Sequence, residues 1–174
     1  VTAPAVRVDV ARHPREDGGL AARLWRLQRA AYAVEAALIG DDRIPALHES
    51  VDDMVSAPLR WAVAEEDGAV LGALAWAESP DVLQVDRLVV DPAAHRRGVG
   101  RALVGVLLDH AAGRDVVVST GRDNAPARAL YERAGFRPRG DREVLAGLWV
   151  TDYRRAGRPT GVTRGRPPAA APRS

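Results

Sequence analysis

Cysteine is absent from this 174-residue chain. That excludes disulfide bridges, thiolate metal sites and a cysteinyl acyl-enzyme. Lysine is absent as well, all 25 basic side chains being arginine, a bias that fits gene composition better than a function and raises the pI. No apolar run approaches the roughly 20 residues that span a bilayer, and no N-terminal stretch reads as a signal peptide. The expected location is therefore cytoplasmic, with no membrane partner. The four histidines, His13, His48, His95 and His110, lack a metal-ligand spacing such as H-E-x-x-H, so no metal is expected.

What is present suits a globular protein: 47% of the residues are hydrophobic, and the length is enough for one domain with a substantial core. Residues 153–174 hold six arginines and no acid, which leaves residues 1–152 with a net charge of −4. Composition thus suggests a single domain over 1–152. The Arg/Pro/Gly-rich tail over 153–174 reads as disordered, and no nucleic-acid partner is expected for it.

Along the chain, VRVDV (6–10) alternates as a strand does. Leu20, Leu24, Leu27, Ala31, Val34 and Leu38 recur at helical spacing, which predicts a long helix over about 19–39. A short helix over 45–55 follows. WAVAEE (61–66) and AVLGALAWAE (69–78), joined at Asp67-Gly68, read as a hairpin that holds Trp61 and Trp76 in the core. LQVDRLVV (83–90) is the next strand, and alternation places Gln84, Asp86, Leu88 and Val90 on one face, with Arg87 on the other. Helix 99–112, strand VVVST (116–120), a helix starting near Asn124 and a final strand VLAGLWV (144–150) complete the order.

Two segments carry the chemistry. After the strand 83–90, DPAAHRRGVGRA (91–102) brings Gly98 and Gly100 to a helix N-terminus, where unpaired N–H groups and the helix dipole favour an anion. Further on, DNAPARALYERAGFRPRG (123–140) is a helix capped by Asn124 and ended near Gly135. Asn124 and Tyr131 lie two turns apart on one face of it.

Together these segments resemble the two signature motifs of the GCN5-related N-acetyltransferase (GNAT) superfamily. Its acyl-CoA loop commonly reads Arg/Gln-x-x-Gly-x-Gly/Ala, and the stretch from His95 through Arg96, Arg97, Gly98 and Val99 to Gly100 matches with His95 in the first position. Its next helix commonly reads Asn-x-x-Ala-x-x-x-Tyr-x-x-x-Gly-Phe, matched by Asn124, Ala127, Tyr131, Gly135 and Phe136. The resemblance implies an α/β GNAT fold: a mixed, mostly antiparallel central sheet of six to seven strands with helices on both faces.

It also implies transfer of an acetyl group from acetyl-CoA, a cosubstrate, to a primary amine by direct attack. The backbone of Arg97, Gly98, Val99, Gly100, Arg101 and Ala102 would hold the pyrophosphate, with Arg96, Arg97 and Arg101 adding charge and His95 in a position of uncertain role. Leu88, Val89 and Val90 would pair with the pantetheine arm where their strand diverges from the next one, and Asn124 would bond the same arm. Tyr131 is the candidate general acid. For the base, Asp86 comes first and Glu35 second, a water chain being the third possibility. The acidic stretch 35–54 either draws in a cationic amine or is a solvated helix face. The acceptor is either a small-molecule amine or a protein amine. A non-catalytic acyl-CoA-binding module is a further alternative, and the chain is either a monomer or a homodimer.

Overall fold

The computed structural model describes residues 6–157 apart from Arg12; most of the arginine-rich tail lies outside that range. Seven strands form one sheet: β1 (Arg7–Ala11), β2 (Arg60–Glu66), β3 (Ala69–Glu78), β4 (Val82–Val90), β5 (Asp115–Gly121), β6 (Arg137–Leu145) and β7 (Leu148–Arg155). Their order is β1-β2-β3-β4-β5-β7-β6. All neighbours are antiparallel except β4 and β5, which run parallel through a helical crossover. This is the mixed, mostly antiparallel sheet expected. No described helix is long and apolar enough to cross a membrane.

Five helices flank the sheet: α1 (Gly18–Ile39), α2 (Pro45–His48), α3 (Val51–Ser56), α4 (Val99–Ala111) and α5 (Ala125–Arg133). Asp17 caps α1 by accepting from the Leu20 N–H at 3.0 Å, and Gly40 ends it in the left-handed conformation. A capping box between Ser50 and Asp53 starts α3. This second cap splits the helix expected over 45–55 into two.

α1 and α3 cover one face of the sheet, where Leu20, Leu24, Leu27 and Met54 pack against Trp61, Val63, Ala73 and Ala75. α4 and α5 cover the other, where Val99, Leu103, Leu107 and Tyr131 pack against Leu74, Trp76, Val116 and Val118. Trp61 and Trp76 are core residues, as expected. A Cβ on Gly72 would lie 2.8 Å from Val99 Cγ1 and 3.0 Å from the Val89 carbonyl oxygen. The bare backbone of β3 is what lets α4 approach this closely.

The structure corrects the sequence reading in three places. First, VLAGLWV is the tip of a hairpin: β6 ends at Leu145, β7 starts at Leu148, and Gly147 turns the chain at φ 81°. Second, β7 runs to Arg155, past the expected boundary at 152, and its end is fastened when Arg154 and the Gly157 N–H donate to Asp115. Third, Gln84, Asp86, Leu88 and Val90 do not share a face. Arg87 pairs with Ala75 but Val85 pairs with Trp76, so Asp86 is an extra, bulged residue. The bulge resets the alternation. Leu88 and Val90 face the α4 side opposite Leu74 and Gly72, whereas Gln84 sits opposite Ala77 on the α1 side.

Candidate active site

The site begins as a gap in the sheet. β4 and β5 pair only through Val82–Asp115, Leu83–Val116 and Gln84–Val117, after which β5 follows β7 away. The edge of β4 from Asp86 to Val90 that faces β5 is left without a strand partner. This is the divergence expected around Leu88, Val89 and Val90, and it offers backbone donors and acceptors to an extended ligand.

At the open end of the gap stands the start of α4. The first helical bond runs from Ala102 N to Gly98 O at 3.0 Å. The N–H groups of Gly98, Val99, Gly100 and Arg101 therefore have no intrahelical acceptor. Gly98 has φ 83° and Arg96 has φ 61°, so the loop alternates in hand and turns several amides toward one point, as an anion nest does. A Cβ on Gly100 would lie 3.2 Å from Leu130 on α5, narrowing the channel between α4 and α5. The loop thus fits a pyrophosphate: free amides, a helix dipole and no side chain in the way.

Of the basic side chains, Arg96 and Arg101 are exposed and stand beside the nest, as does the exposed ring of His95. Arg97 differs from expectation. Its guanidinium donates to both oxygens of Glu66 on β2 at 2.6 and 2.8 Å, so its charge is already matched, and its backbone N–H donates to the Ala94 carbonyl at 3.4 Å.

Through the gap, residues from opposite faces of the sheet meet. Asn124 caps α5, its Oδ1 accepting from the Ala127 N–H at 3.1 Å, and its side-chain amide lies against Glu35 of α1. Gly121 at the end of β5 lies against the same carboxyl, its ideal Cβ position being 3.5 Å from Glu35 Oε1, an ordinary contact distance. Burial pushes the Glu35 carboxyl above its ordinary range, an effect the Asn124 amide partly offsets. Tyr131 is 4% exposed, with its ring edge-on to Phe136 at 5.5 Å. Burial first, and the nearby Glu35 carboxylate second, push the Tyr131 phenol upward, which keeps it protonated.

Tyr32 is the residue that the sequence reading missed. Its phenol is raised by burial and then by Glu35, while Arg87 acts to lower it; Asp86 and Tyr131 are close enough to contribute. The available signal was position, since Tyr32 and Glu35 are three residues apart on α1 and share a helix face.

Asp86, the first candidate base, is engaged: its Oδ2 accepts from Arg87 Nε at 2.7 Å. Arg87 is itself 7% exposed and donates to Gln28 Oε1 at 2.7 Å and to both oxygens of Glu49. Gln28 in turn donates to Glu49 at 2.8 Å and to the Ala46 carbonyl at 2.9 Å. This network ties α1, the α2–α3 connection and β4 together. Much of the acidity of segment 35–54 is therefore used internally, with Glu49 on Arg87, Asp41 on Arg43 and Asp53 in its capping box. Among the described residues, no group of three or more His, Asp or Glu side chains is arranged to hold a metal ion.

The model of the acetyltransferase (GNAT) family matches residues 21–136, which contain the β4–β5 gap, the nest and the Asn124–Tyr131 helix. The chain belongs to this family. It is 34% identical over 139 residues to the UPF0157 protein YqkA of Bacillus subtilis, covering 79% of this chain and 40% of that one. It is 44% identical over 86 residues to a mycothiol acetyltransferase of Beutenbergia cavernae, covering 46% and 29%. Against the N-alpha-acetyltransferase RimI of Mycobacterium tuberculosis it is 32% identical over 114 residues, covering 63% and 71%. The chain spans less than half the length of the first two. The crystal structure of the ribosomal-protein-S18-alanine N-acetyltransferase from Escherichia coli superposes with a TM-score of 0.72 at 17% identity, covering 91% of this chain and 98% of that one. It shares the GNAT fold.

Proposed function

We propose that this chain is an acetyl-CoA-dependent N-acetyltransferase acting on a primary amine. The observation that carries the reading is the gap between β4 and β5, with an anion nest at its mouth and Glu35 and Tyr131 meeting within it from opposite faces of the sheet. Acetyl-CoA, as substrate, lies along the free edge of β4 with its pyrophosphate on the amides of residues 98–101; of the wider span 97–102 expected from the sequence, the Arg97 and Ala102 N–H groups are engaged with Ala94 and Gly98. Asn124 holds the pantetheine arm, and N–H groups of residues 88–90 bind that arm and polarise the thioester carbonyl. One such donor contributes roughly 10²–10³ in rate.

The amine nitrogen attacks the carbonyl carbon and the C–S bond breaks. The proton lost by the attacking nitrogen passes to Glu35, and the departing thiolate takes the proton of Tyr131. Solvent then restores both groups. Glu35 replaces Asp86 as the favoured base, because burial raises its carboxyl while an oxygen of Asp86 is occupied by Arg87.

The acceptor is a small molecule. A protein acceptor needs an open groove between the first helices and the final hairpin. Here Arg43, after α1, donates to the Ala146 carbonyl at the hairpin tip at 3.0 Å, bridging that groove. The similarity to RimI supports a second reading, acetylation of a protein N-terminus. Release of CoA, measured with a panel of small amines and with peptides of free N-terminus, separates the two. The expected result is turnover of small amines and little of peptides; the reverse result establishes the protein reading.

A further inference from the structure

On the α1 side of the sheet, at the closed end of the β4–β5 gap, lies a cavity of about 360 Å³ lined by Gln84, Ser119, Arg139, Arg142, Asp152 and Arg154. Its floor is the point where β4 and β5 still pair, Gln84 with Val117. Gln84 is two residues along β4 from Asp86, about 7 Å at the rise of a strand. The cavity therefore opens next to the bulge at Asp86, further along the gap from the reacting centre at residues 88–90, and its volume is at the lower end of the range for small-molecule sites.

Its charge is lopsided, three guanidinium groups against one carboxylate. Asp152 is already shared, accepting from Arg142 Nε at 2.9 Å and from the Ser119 hydroxyl, and Arg154 is paired with Asp115. Arg139 makes no side-chain hydrogen bond or ion pair with any described residue. Its position is also built. Pro138 pairs with Tyr153 and Gly140 with Asp152, so Arg139 is the extra residue of a bulge in β6. Bulges re-aim a side chain, and this one delivers a free cation to the cavity wall. The other end of the acceptor space holds the carboxyls of Glu35 and Asp86 around Tyr32, with Arg87 on Asp86.

We propose that this cavity takes an anionic group of the acceptor, so that the preferred substrate is a compact amine bearing a carboxylate or a phosphate. The amine faces the carboxylates at the gap, and the anion faces Arg139 and Arg142. The inference rests on the acetyltransferase reading for its role in turnover, but the subsite is testable by binding alone.

Three matched pairs test it: glycine with glycinamide, β-alanine with its amide, and phosphoethanolamine with ethanolamine, with rates compared at equal free-amine concentration. The expected result is at least a tenfold preference in kcat/KM for the anionic member, and a ratio that falls toward one in Arg139→Gln. Which pair shows the larger preference distinguishes carboxylate from phosphate. A ratio near one in the unaltered protein overturns the proposal. A calorimetric titration of N-acetyl-β-alanine and its amide into the protein with CoA present serves as the second arm. Tighter binding of the acid, lost in Arg139→Gln, supports the subsite even if no amine is turned over, a case in which only the acetyltransferase reading falls. Equal binding of acid and amide removes the subsite.

Discussion

Glu35 and Tyr131 divide the proton traffic because burial acts in the same direction on both. It raises the carboxyl of Glu35, which makes it a stronger base, and it raises the phenol of Tyr131 so that it stays a donor. The acid limb of kcat/KM is therefore expected to sit above the ordinary glutamate value of 4.5 and to vanish in Glu35→Gln, with a loss of about 10²–10⁴ in rate. Asp86→Asn is expected to leave that limb in place; a limb that moves with Asp86 instead reverses the assignment. A second readout follows from linkage. The folded chain favours the neutral form of Glu35, so its contribution to stability is complete below the unfolded value and is lost as pH rises through the raised folded one. As pH rises from the ordinary glutamate value of 4.5 through the raised folded one, Glu35→Gln is expected to lose less thermal stability than the parent, measured as the difference between the two melting curves.

Among the elements, β4 does most to shape the site, and Arg87 is what fixes its bulge. The guanidinium is held by Asp86, Glu49 and Gln28 and lies over Trp61 with 5.8 Å to the ring centroid. Truncating one partner of such a pair leaves the other charged and poorly solvated, at a cost of about 3–5 kcal/mol. Arg87→Ala or Glu49→Ala is expected to lower the urea midpoint accordingly, whereas replacing both by Met is expected to recover much of the loss; a double-variant loss equal to the sum of the two single losses would argue that the pair does not act as a unit.

The same strand shows where sequence patterns stop being legible. α1, α4 and β5 are readable because each has one apolar face at a regular period, and the β2–β3 hairpin because two apolar runs, buried on both faces, flank the Asp67-Gly68 turn. In β4 the period is broken by one bulged residue, so Asp86 was assigned a face it does not share with Leu88. β6 was missed over most of its length because RPRGDRE is exposed on both faces and carries no apolar alternation. The apolar run 144–150 read as one strand because its turn consists only of Ala146 and Gly147. Within the site, the motif residues Gly98, Asn124 and Tyr131 were visible in sequence, whereas the pairing of Glu35 with Asn124 and the presence of Tyr32 depend on α1 crossing the gap from the other side of the sheet.

For the molecule as a whole, the gap is a structural cost that ligand binding offsets. Strand edges left unpaired and four amides without acceptors at α4 lower the stability of the chain on its own, and a ligand that satisfies them binds the folded state alone. Acetyl-CoA at a hundred times its dissociation constant is then expected to stabilise the fold by about 2.7 kcal/mol. For a domain of this size that corresponds to a rise in Tm of roughly 5–10 °C. Gly98→Glu places a carboxylate at the nest and a side chain where φ is 83°, so the variant melts earlier even without ligand. The informative quantity is therefore the shift on adding acetyl-CoA, expected to be nearly absent in the variant. If the variant keeps the full shift, the pyrophosphate is held elsewhere than on this loop. If the shift is lost, the glycine loop supplies the linkage between cosubstrate binding and the stability of the whole sheet, and added salt should shrink the shift in the unaltered protein, since the interaction is between charges at the surface.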